Sequence, residues 1–191
     1  ARGSDFLKIL RPLVTQQFGE QPALEEANFI RLNQRVKPGL IRVDADEVSY
    51  PAHVILRYEI EKALVEGEIE VEDIPALWNE KMKGYLGLDT VGNYRNGCMQ
   101  DIHWTDGAFG YFPTYTLGAM YAAQLFHSAR EAMPSLSSDI AEGNLSPLFH
   151  WLKQNIWRHG SRFPTDTLIA NATGEALNPA YFRKHLENRY L

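Results

Sequence analysis

Cysteine is almost missing from this chain. Cys98 stands alone among 191 residues, so no internal disulfide framework can form, and one free thiol suits a reducing cytoplasm. Nor is there an apolar run of the length a bilayer span needs, or a signal-peptide pattern at the start. Lys/Arg blocks are absent and the net charge is −5, which argues against a nucleic-acid surface. No initiator Met precedes Ala1, and the chain reads as a piece of something longer. HExxH does not occur, and the six His are spread without metal-ligand spacing. His127 and Glu131 lie one turn apart, a pattern that is more often a surface hydrogen bond than a metal pair. No Gly-rich phosphate loop precedes a helix, and no Gly-x-Ser-x-Gly elbow is present.

What is present is a core-forming composition, 45% hydrophobic, in a length that fits one domain over 1–191. Apolar residues recur at spacings of three and four along most of the chain. The spacing predicts helices over about 4–18 (with Pro12 inside), 24–36, 46–66, 73–86, 114–132, 135–142, 145–157, 165–173 and 178–190. The class is all-α, roughly eight helices with little or no sheet. Leu40-Ile41-Arg42-Val43 is the one short stretch that reads as a strand piece or an extended lead-in. Small residues Gly118, Ala119, Ala122 and Ala123 predict a central buried helix over 114–132. Arg57 and Glu61, four apart, are expected to pair on the outer face of theirs. The acidic run 66–73 reads as a solvated turn.

One stretch fits neither helix nor strand. Between Asn96 and Gly118, Gln100, Asp101, His103 and Asp106 alternate with Trp104, Phe109, Tyr111, Phe112 and Tyr115, and Gly97, Gly107 and Gly110 interrupt the run. This is a shaped loop with aromatic walls and polar groups aimed inward, the composition of a binding site. A plainer reading is a packed His103 whose ring is held by Asp101 or Asp106. Arg42, between Ile41 and Val43 with Asp44 and Asp46 after it, is either part of an ion-pair network or a fork for an anionic ligand group.

Two segments resemble a known family. Ile41-Arg42-Val43-Asp44-Ala45-Asp46 is similar to the Ile-Arg-x-x-Ala-Asp motif of the thermostable zinc carboxypeptidases, the carboxypeptidase Taq family. Gly97-Cys98-Met99-Gln100-Asp101-Ile102-His103-Trp104 is similar to its Gly-x-x-Gln-Asp-x-His-Trp motif. The flanks, 46–50 and 110–118, agree, and the likeness extends over essentially the whole chain. The resemblance implies a helical fold, usually a homodimer, that removes single residues from the C-terminus of peptides with zinc or cobalt. In that family the metal sits on the two His of an HExxH helix and a later Glu. This chain resembles the portion after them, so no metal site is expected in it, and the isolated chain is expected to be inactive.

The resemblance makes Arg42 the candidate for the substrate carboxylate. It makes His103 and Tyr115 (or Tyr111) candidates for the oxyanion or the substrate backbone. Asp101 and Gln100 are expected to orient His103 or line the groove, beside Trp104. Two other readings compete: a non-catalytic helical dimerisation module, and a cysteine hydrolase using Cys98 and His103.

Overall fold

Amphipathic periodicity becomes helix here with proline or glycine at many of the ends, and among the described residues no side-chain capping bond is found at the assigned α-helix N-termini. The computed structural model describes residues 3–191, and among them nine α-helices and no strand are found. They are α1 (Ser4–Phe18), α2 (Glu26–Asn33), α3 (Tyr50–Val65), α4 (Ile74–Leu86), α5 (Pro113–Ala132), α6 (Leu136–Ala141), α7 (Ser146–Asn155), α8 (Thr165–Thr173) and α9 (Ala180–Tyr190). Pro51, Pro75 and Pro147 lie in the first turns of α3, α4 and α7, where a missing N–H costs least. Gly87 and Gly174 end α4 and α8 in the left-handed conformation. No described helix is long and apolar enough to cross a membrane.

The described residues form two compact units. The first comprises residues up to Arg35 and from Ala119 onward. Its core is Ala129, Leu136 and Ile140, with Phe6, Met133, Leu148 and Trp151 packed around them. Gln124, fully buried, fastens the chain after α8: its amide N donates to Thr173 Oγ1 and to the carbonyls of Glu175 and Ala176, and its carbonyl O accepts from Asn178 N–H. Of the 20 residues of α5, only Gln124 and Ala129 are buried, which corrects the expected central buried helix. A Cβ added at Gly118 would meet nothing within 4 Å, so this glycine is not there to admit a described neighbour.

The second unit, Val36–Gly118, carries the site. Here α3 packs on α4 through Leu56, Ile60, Ile74, Trp78 and Met82, with Leu40, Cys98 and Trp104 against their edge. The 40–43 stretch is not a strand. Residues Arg42–Asp44 form a 3₁₀ turn, closed by Ala45 N–H on the Arg42 carbonyl. Arg42 N–H, which a sheet neighbour would have taken, goes instead to Gln100 Oε1 at 2.7 Å.

Candidate functional site

The loop between α4 and α5 is held by its polar side chains. Gln100 supplies the first brace: its amide N donates to the carbonyls of Leu40, Asn96 and Gly97, while its Oε1 receives Arg42 N–H. All groups of one amide are thereby spent on backbone, and Gln100 does not orient His103 as expected. Gly97 is required where it stands, since a Cβ there would lie 2.7 Å from the Asn93 carbonyl oxygen. Gly110, at φ +77°, turns its N–H onto Glu61 Oε1.

Asp101 lies between two arginines. Its Oδ1 receives Arg42 Nη2 at 2.8 Å, and Arg42 Nε reaches both carboxylate oxygens at 3.2 Å. Arg57 Nη1 stands 3.6 Å from Oδ2. Neither Asp101 nor Asp106 holds His103; Tyr115 does, its Oη 3.0 Å from Nε2. Arg42 Nη1 donates to Tyr50 Oη at 2.7 Å, and the guanidinium lies over the rings of Phe112 and Tyr115 at 5.1 and 5.0 Å. Burial works against the Arg42 charge, but the bonds to Asp101 outweigh it and raise its pKa.

Arg57 and Glu61 are the largest departure from expectation. They belong to the inner side of α3, not the outer, at 0% and 4% exposure. Trp104 and Phe112 cover the Arg57 guanidinium, their ring centres 3.9 and 4.2 Å from Cζ. Burial pulls its pKa down to about 10, against the opposing pull of Asp101 and Glu61, so it stays charged at neutral pH. Glu61 accepts from Trp104 Nε1 at 2.7 Å as well as from Gly110 N–H. A sequence signal for both existed: 53, 57 and 61 form a stripe at spacing four beside the apolar stripe 56, 60 and 64.

Arg42, Gln100, Asp101, His103, Trp104, Tyr111 and Tyr115, the candidates from the two motifs and their flank, therefore lie in one connected cluster. Arg42 is its buried member, Gln100, Asp101, His103, Trp104 and Tyr115 are half-buried, and Tyr111 is exposed. His103 stacks on Tyr111 and meets Phe112 and Tyr115 edge-on, with Tyr111 48% exposed. Burial pushes the Tyr115 pKa up, so its phenol keeps its proton at neutral pH. His53, also buried, is held toward its neutral form by burial and then by the Arg42 charge. Cys98 packs on the α3–α4 core, and burial raises its pKa. An unactivated thiol of this kind counts against the cysteine-hydrolase reading.

Asp46 fixes the entry to α3, accepting from the backbone N–H of Lys37, Val48 and Ser49 at 2.8, 3.0 and 2.8 Å. Burial alone would raise its pKa, but these bonds outweigh it and hold the pKa below the ordinary 3.8. A lowered folded pKa stabilises above the unfolded value and loses that contribution as pH falls through the folded one. Asp46→Asn is therefore expected to cost about 1.5–3 kcal/mol at neutral pH. Urea midpoints of the two proteins should converge as pH drops below 3.8; parallel curves would refute the assignment.

Among the described residues no group of three or more His, Cys, Asp or Glu side chains is arranged to hold a metal ion. His127 lies against the Tyr181 ring, centroids 4.8 Å apart. The side chains described here do not fit the metal that the resemblance implies for its family.

Comparison with known proteins agrees with the two motifs. The family model described as Carboxypeptidase Taq (M32) metallopeptidase matches residues 1–190. Carboxypeptidase 1 of Bacillus subtilis (strain 168) is 45% identical over 163 residues, which are 85% of this chain and 32% of that protein. Thermostable carboxypeptidase 1 of Thermus thermophilus is 45% identical over 155 residues, 81% of this chain and 30% of that protein. The solved structure of Trypanosoma cruzi metallocarboxypeptidase 1 superposes with a TM-score of 0.95 at 52% identity, covering 99% of this chain and 40% of that one. The chain thus spans about a third of the length of the curated relatives it matches.

Proposed function

We propose a peptidase role on one premise: this chain belongs to the carboxypeptidase Taq (M32) metallopeptidase family. It is the C-terminal helical domain, 1–191, of a parent enzyme that hydrolyses the last peptide bond of peptides with a free C-terminus. Zinc or cobalt belongs to the rest of that parent, and its chemistry is not carried by the side chains described here. This portion grips the end of the peptide. Homodimers in the cytoplasm complete the proposal; the acidic balance of the chain, −5, goes with a peptide rather than a nucleic-acid partner.

The observation that carries the reading is the state of the Arg42 guanidinium. Its side edge, Nε with Nη2, is filled by Asp101, and Tyr50 takes one N–H of Nη1. Of the five donors, one on each terminal nitrogen has no acceptor among the described residues. Two such N–H groups are enough in number for the two oxygens of a carboxylate. The ion-pair network and the ligand fork are then two uses of the same side chain. Tyr115, whose ring lies 5.0 Å from Arg42 Cζ, and His103 beside it are the donors for the peptide carbonyl or its oxyanion. Trp104, Gln100 and Asp101 support this grip from the half-buried part of the cluster, and Tyr111 is its exposed member.

The test compares a peptide with a free C-terminus and the same peptide amidated, using the full-length parent. Release of the last residue from the free form, and a loss of about 10²-fold or more in kcat/KM on amidation, is the expected outcome. Equal turnover of the two would end the carboxylate reading. The alternative, a non-catalytic helical dimerisation module, draws on Val43, Met99 and Ile102, which are 68–73% exposed. It requires that the parent release no residue from either peptide.

A further inference from the structure

Arg57 is unassigned in the reading above, and its surroundings are unusual. It is fully buried, and Nε, Nη1 and Nη2 all lack a hydrogen-bond partner. A buried guanidinium with no acceptor demands a reason, because an apolar side chain of similar volume would fill the space with no desolvation loss. What the charge does meet is specific. Two aromatic faces cover it, and Asp101 Oδ2 lies 3.6 Å away. The other oxygen of that carboxylate takes Arg42 Nη2, and Arg42 Nε reaches both. Phe112 is shared, its ring lying near both guanidinium groups. Trp104 is fixed in turn by its N–H bond to Glu61.

We propose that Arg57 is a positioning residue for substrate capture: clamped between Trp104 and Phe112, it holds the Asp101 carboxylate against one edge of Arg42 and so fixes which N–H groups of Arg42 face the terminal carboxylate of the peptide. This rests on the carboxylate reading of Arg42 and deepens it. The charges explain why an arginine is needed. Asp101 faces both Arg42 and Arg57, and Glu61 adds a second negative charge near Arg57. Without Arg57, the negative charge of Asp101 falls on Arg42 alone, which both reorients its fork and weakens its attraction for a second carboxylate.

The test is made in the full-length enzyme with a peptide bearing a free C-terminus. Arg57→Met, close in volume, is expected to raise KM about tenfold while kcat changes much less. In an Arg42→Lys background the same substitution should raise KM no further, because its effect passes through the Arg42 fork. An unchanged KM, or an Arg57→Met effect that multiplies in full with that of Arg42→Lys, would overturn the proposal and leave Arg57 a packing group. Should the single variant not fold, Arg57→Met with Glu61→Gln restores charge balance, and the same KM rise is expected of it. The two failures separate in the wild type. If the unaltered enzyme treats free and amidated peptides alike, the carboxylate reading falls and Arg57 with it. If it discriminates and Arg57→Met keeps its KM, only the Arg57 assignment falls.

Discussion

Asp101→Asn is expected to cost the Val36–Gly118 unit about 3–5 kcal/mol, because it leaves two buried arginines facing a neutral amide. The side chains of Arg42, Arg57 and Asp101 are 8%, 0% and 6% exposed, so water cannot replace the lost anion. Asparagine keeps one oxygen for Arg42, but its NH₂ group would then point a donor at Arg57. With an urea m-value on the order of 2 kcal/mol per molar, the midpoint should fall by roughly 2 M. Added salt should restore little of it, since screening acts weakly on buried charge. The double variant Asp101→Asn, Arg57→Met should lose less than the sum of the two single variants, because the second change removes a cation that the first left unpaired. A loss below about 1 kcal/mol for Asp101→Asn would mean that the arginines find other partners and that the carboxylate is not their common anchor.

That anchor shows where local pattern stops informing. Periodicity located the helices because each buries a continuous apolar stripe, and Pro and Gly end most of them as backbone sterics require. For α3 the apolar stripe was legible, and Leu56 and Ile60 are at 0% exposure. The buried face is nonetheless wider than its apolar residues, since His53, Arg57 and Glu61 extend it. Hydropathy counts those three as outer positions, and only the aromatic and carboxylate partners brought by the 96–112 loop reverse that. Arg42 failed for a related reason. Its β-branched neighbours read as strand, but its N–H is taken by a side chain 58 residues on, a partner no short window contains. The loop itself was legible as a site from its mixture of residue types. Which groups pair within it was not: Asp101 and Gln100 serve Arg42, and His103 is left to Tyr115.

Tyr115→Phe in the full-length enzyme separates the structural from the catalytic use of that last contact. The substitution removes one oxygen and keeps the ring, so the edge-on contacts with Tyr50, Tyr111 and Phe112 persist, as does the ring below Arg42. It takes away the partner of His103 Nε2, and His103 Nδ1 already has none. Stability should therefore drop by about 1–2 kcal/mol, the scale of one buried hydrogen bond left half-made. The effect on turnover is expected to be larger, a fall of about 10²–10³ in kcat with a smaller change in KM, because a donor to the oxyanion acts mainly as charge develops on the carbonyl oxygen. The raised pKa of Tyr115 keeps its proton available for that donation at neutral pH. Tyr111→Phe should lose less, because the Tyr111 ring is nearly half exposed and stacks on His103 by its face. If Tyr111→Phe shows the larger loss, the oxyanion donor is Tyr111. If Tyr115→Phe loses only the stability expected of the His103 contact and keeps its kcat, that hydrogen bond is a packing device, and the cluster binds the peptide without taking part in the chemistry.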